Sequence, residues 1–155
     1  MKQLHIPSLR RTPGFTLIEL MIGVVIAGIL LAVALPNFMD SIRKGRRSEA
    51  FTAIAAVQQA QERWRSNNPS YASTLAALNI NSTTGPSGYY TLTPSSPSAT
   101  GYVLTATAVA TGSQANDGEC ATLSVQVNGG AIGYASCTGC SGPFTYLPND
   151  RCWVR

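Results

Sequence analysis

FTLIELMIGVVIAGILLAVAL, residues 15–35, holds a single charge, Glu19, and its last 16 positions, Leu20–Leu35, hold none. A helix rises about 1.5 Å per residue, so 21 residues would span roughly 31 Å, one hydrocarbon thickness of a bilayer. Lys2, Arg10 and Arg11 precede the run; Pro36 and the cluster Arg43, Lys44, Arg46, Arg47 follow it. Three readings compete. The run is a secretory signal, with Ala32-Val33-Ala34 as its small-x-small cleavage site. It is a permanent single-pass anchor. Or the chain is processed ahead of the run, at Gly14, and keeps the apolar helix.

Glu19 bears on that choice. A carboxylate inside a membrane helix costs on the order of 2.5–3.5 kcal/mol and by default marks a function with a partner. A disposable signal core gains nothing from that cost. A cut after Gly14 would give Phe15 a new α-amino group, four residues from Glu19. That ammonium on a neighbouring copy could pair with the Glu19 carboxylate, offset its burial and fix the register between subunits.

Composition narrows the function. The 155 residues suit one ordinary domain, with 45% hydrophobic and 12% charged residues; that charged share is about half the usual level. The single histidine, His5, lies in the first ten residues, and no nucleophile elbow, phosphate loop or paired-carboxylate site is present. The expectation is a protein that is not an enzyme and carries no cofactor. Beyond Ala50, basic and acidic residues balance at four each, so charge gives no support to a broad nucleic-acid footprint. Arg43–Arg47 reads as a solvated face or as pairing between subunits.

Gly14-Phe15-Thr16-Leu17-Ile18-Glu19-Leu20, followed by the apolar run and Pro36, resembles the class III signal and N-terminal helix of type IV pilins, over about residues 10–65. Ile42–Ala50 further resembles the minor-pilin, PilE-like branch of type IVa systems; type II secretion pseudopilins share the same N-terminus. The resemblance implies removal of residues 1–14 by prepilin peptidase, cleavage between Gly14 and Phe15, N-methylation of Phe15, and assembly through Phe15 and Glu19. It implies a single-pass inner-membrane protein with its N-terminus in the cytoplasm, surrounded by lipid until assembly. The assembly machinery and other pilin subunits are the implied partners, and an extracellular fibre the final location. The implied function is a structural, minor pilin in pilus assembly and twitching motility. A DNA- or surface-binding pilin and a secretion pseudopilin are the alternatives.

The rest of the chain reads as an α+β fold. Residues 15–36 form the membrane and assembly half of a long helix, with a kink or local break expected at Pro36. Residues 37–67 form an amphipathic half, in which Phe38, Ile42, Phe51, Ile54, Val57 and Trp64 recur mostly at steps of three and four. Asn67-Asn68-Pro69 should end it. Residues 68–155 should form a head with a four-stranded antiparallel sheet covered by Phe51–Trp64. Tyr89–Thr93 reads as the first strand and Thr93–Thr100 as a loop. Tyr102–Val109 follows, then Thr122–Val127, a hairpin turn at Asn128-Gly129-Gly130, and Ala131–Ala135. A helical turn is expected at Thr74–Leu78, and Asp117 and Glu119 read as a solvated turn around Gly118.

Cys120, Cys137, Cys140 and Cys152 all fall in the head. An even count outside the cytosol argues for disulfides, with three connectivities open. Cys120–Cys152 is favoured because it ties the last 32 positions to the third strand, a closure contributing ~3–4 kcal/mol on the chain-entropy model. It also resembles the disulfide-bounded C-terminal region of pilins; Cys137–Cys140 would then close a small ring. A thioredoxin-like reading of Cys-x-x-Cys lacks a βαβ context, and zinc would need two close pairs. No metal is expected.

Overall fold

The computed structural model describes residues 14–80, 84–85, 87–140 and 143–153. The leader expectation therefore falls outside the described residues, Gly14 excepted. The chain divides into two compact units, residues 1–39 and 40–155.

Helix α1 spans Leu17–Arg65. Thr16 caps it: its Oγ1 accepts the Glu19 N–H at 3.3 Å while its carbonyl accepts the Leu20 N–H at 3.2 Å. Threonine serves there because its short side chain satisfies an amide that has no partner one turn back. The break expected at Pro36 does not occur, and Pro36 lies inside α1. Proline removes one intrahelical donor, and the hydrogen bonds of the turns on either side carry the helix past it. In the N-terminal unit, apolar side chains from Phe15 to Met39 are exposed, Phe38 among them, so the amphipathic pattern begins later than the sequence suggested.

In the head, Ala50, Ala53, Ile54, Val57, Ala60 and Gln61 of α1 are buried. They join one core with the inward positions of a four-stranded antiparallel sheet of order β1-β2-β3-β4. The strands are β1 (Tyr90–Ser95), β2 (Gly101–Ala108), β3 (Thr122–Asn128) and β4 (Ala131–Cys137). Period-two alternation sends Tyr102, Leu104, Ala106 and Ala108 of β2 and Leu123, Val125 and Val127 of β3 into the core. Each large aliphatic side chain so buried contributes roughly 1.5–3 kcal/mol. A four-stranded sheet with one apolar face needs such cover, and the α1 stripe supplies it.

The expected hairpin is present. Gly129 and Gly130, at φ 57° and 85°, join β3 to β4, and glycine at both positions permits the primed two-residue turn that matches strand twist. Most strand boundaries differ from the expected ones by one or two residues. β1 continues through Pro94 to Ser95 where the sequence suggested a loop; β1 is an edge strand, where a missing N–H costs no ladder bond. The helical turn expected at Thr74–Leu78 is a short 3₁₀ turn, Ala76–Leu78.

Candidate functional site: the exposed apolar helix and the polar anchor of the head

The candidate site in the N-terminal unit is built on the first turn of α1. Phe15 is 81% exposed. Glu19 stands at the third helical position, where its carboxylate lies near the positive end of the helix dipole. Among the described residues none pairs with that carboxylate. Gly14 needs no special backbone conformation, and a Cβ there would meet nothing within 4 Å; packing among the described residues gives no reason for glycine at that position. α1 is long and apolar enough to cross a membrane by length and composition, and its most apolar window is unburied. The Thr16 cap was not anticipated, although Thr16-x-x-Glu19 is a capping-box spacing.

The head holds a second cluster, which the sequence concealed. Arg47 donates from Nε and Nη2 to the two carboxylate oxygens of Asp117, each at 2.6 Å. Gln114 Nε2 donates to Asp117 Oδ2 at 2.6 Å and to the Arg43 carbonyl at 3.2 Å. Asp117 is only 4% exposed, which corrects the expectation of a solvated turn. Burial of a carboxylate is tolerated because a bidentate guanidinium and an amide occupy its lone pairs. The hydrogen bond to Asp117 raises the Arg47 pKa above its ordinary value. Arg46 lies over the Tyr89 ring at 4.5 Å and bonds Ser113, Arg43 pairs with Asp40 at 2.9 Å, and Arg151 pairs with Glu119. Arg43, Arg46 and Arg47 thus have partners within the chain, while Lys44 of the same cluster is exposed. Arg46 and Arg47, with the Arg43 carbonyl, tie the start of the head helix to the β2–β3 connection.

At the other end of the head helix, Gln61 is fully buried. Its amide donates to the Ala72 carbonyl at 2.9 Å and accepts the Ala72 N–H at 2.8 Å. The cysteines pair as Cys120–Cys152 and Cys137–Cys140, with Cα separations of 5.7 and 6.0 Å. Among the described residues no cluster of ligand side chains could hold a metal ion.

An exposed apolar helix continuing into a helix-backed sheet is the build of a pilin-like subunit, whose N-terminal segment must find lipid or other helices to cover it. Residues 36–124 match the family described as type IV minor pilin ComP, DNA uptake sequence receptor, and residues 9–35 match the prokaryotic N-terminal methylation motif. The chain is 32% identical over 138 residues to fimbrial protein EcpC of Eikenella corrodens, covering 88% of each. It is 47% identical over 62 residues to type IV major pilin protein PilA of Myxococcus xanthus, which is 40% of this chain and 28% of that protein. It is 34% identical over 104 residues to type II secretion system core protein G of Pectobacterium carotovorum, 61% and 67% of the two. The chain belongs to the type IV pilin family.

Proposed function

We propose that the chain is a minor pilin of the PilE-like type IVa kind. It is cut between Gly14 and Phe15 by prepilin peptidase, methylated at the new N-terminus, and held in the inner membrane with that terminus cytoplasmic. The assembly machinery then moves it into a fibre with other pilins. The observation that carries this reading is the uncovered apolar surface of α1, with one carboxylate in its first turn. In lipid that surface is solvated; in a fibre it packs against like helices. The cost of a carboxylate among apolar groups is offset when the Phe15 amine of an adjacent copy pairs with Glu19. Gly23, Gly28 and Pro36 lie along the same apolar stretch of α1, and weak propensity there lets the helix lengthen on packing. In fractionated cells, Glu19→Ala should leave processing and membrane insertion intact and abolish incorporation into fibres. Normal incorporation of that variant would refute the register role.

One finding favours a second reading. The family matched over residues 36–124 is described as a DNA uptake sequence receptor. Pairing of Arg46, Arg47 and Arg151 within the head leaves little of a basic stripe for phosphates. Binding of duplex DNA by the full chain in micelles, with affinity falling steeply with salt, would establish this reading; salt-independent or absent binding would remove it.

A further inference from the structure

The two disulfides differ in what governs exchange with an outside thiol. Cys120 and Cys152 are 7% and 1% exposed and belong to the core. Cys140 is exposed, and half-buried Cys137 is the last residue of β4, paired to Thr122. A groove of about 440 Å³ runs beside Cys140, lined by Thr105, Thr107, Thr122, Thr138 and Phe144 among others, with no carboxylate among the described residues of its wall to repel a thiolate. Exchange requires an attacking thiolate to reach a disulfide sulfur. The geometry gives that access at Cys140 and withholds it at Cys120 and Cys152.

We infer that Cys137–Cys140 is a thiol–disulfide exchange site for a dithiol donor, separable from the structural Cys120–Cys152 bond. A donor thiolate attacks Cys140 Sγ and forms a mixed disulfide, and the bond to Cys137 breaks. Cys137 leaves as a thiolate and takes a proton. The donor's second thiol, as its thiolate, attacks its own sulfur in the mixed disulfide and releases Cys140, which is protonated in turn. Two electrons pass to the pilin pair, and the donor ends as a disulfide. The reverse sequence closes the pair. The fold survives the opening because the ends of the region are held independently. Tyr134 and Leu147 exchange two backbone hydrogen bonds, at 2.8 and 2.9 Å, and Cys152 stays bonded to Cys120. Tyr146 sits over Gly133 and its hydroxyl lies 3.0 Å from that of Ser124. Loosening at the end of β4 should be felt first at Thr122, which is paired with Cys137 in the closed form.

The test uses the full chain in detergent micelles and does not depend on polymerisation. It is titrated with dithiothreitol, quenched with N-ethylmaleimide and mapped by peptide mass. Cys137 and Cys140 should label at least about tenfold faster than Cys120 and Cys152. Amide exchange at Thr122 should rise while the head still melts cooperatively. The variant Cys137→Ser with Cys140→Ser should fold, keep Cys120–Cys152 and lose the fast-labelling phase. Equal labelling of all four cysteines, earlier labelling of Cys120 and Cys152, or a double variant whose head fails to fold would overturn the inference.

Discussion

Arg47 and Asp117 stand 70 positions apart, and their bidentate contact is the strongest polar tie between α1 and the β2–β3 connection. Removing the guanidinium strands a carboxylate that is almost wholly buried. Arg47→Ala should therefore destabilise the head by about 3 kcal/mol or more, measured by chemical denaturation of the full chain in micelles and followed by head-domain fluorescence; a loss within the range of ordinary surface changes would mean that Asp117 finds water. Charge counting along the sequence cannot reveal this pair, because a basic run beside an apolar helix and an Asp-Gly turn each have a solvated reading. The same holds for Gln61, a polar residue on the buried stripe, whose partner is the backbone of Ala72. Buried tyrosines set a pH limit. Burial pushes Tyr90 up to about 12 and Tyr102 upward as well, with desolvation the leading cause for both. The folded state then holds protons that the unfolded chain releases from about pH 10. Stability is full below that pH and is lost as pH rises from about 10 to 12. Thermal melts should be flat from neutral pH to about 9.5 and fall beyond it; a melt unchanged at pH 11 would contradict this.

At the level of elements, the apolar period is the informative signal. Alternation and the three-to-four step report burial directly, and they locate β2, β3 and the covering face of α1 from the residues alone, while Asn128-Gly129-Gly130 marks the hairpin by its turn chemistry. Punctuation is less informative. Pro36 and Pro94 both read as interruptions, yet one sits inside α1 and the other in an edge strand; whether a proline breaks an element depends on which hydrogen bond it deletes. Gly101 marks another limit. It opens β2 opposite Asn128, and a Cβ there would lie 2.1 Å from the Val127 carbonyl oxygen. Gly101→Ala must push apart the β2–β3 backbone, and should cost about 1–3 kcal/mol in a denaturant titration of the head. A neutral effect would show that this end of the ladder is not held in register. Nothing in the flanking residues hints at that approach, since a glycine before a strand also reads as ordinary turn chemistry.

For the whole molecule, the two units answer to different solvents. The head buries its own core and its own charges. The N-terminal unit buries almost nothing among its described residues and needs lipid or like helices to cover it. The apolar surface behind this difference is legible in the sequence as the 16 uncharged positions Leu20–Leu35. The register mechanism at Glu19 requires that the apolar helix remain in the mature chain and begin at Phe15. Intact-mass and N-terminal peptide spectrometry of the protein recovered from cells reads this directly. The account predicts a mature chain starting at Phe15 and carrying one added methyl group on its α-amine. A mature chain starting at Leu35, after the alanine-rich end of the apolar run, would contradict it.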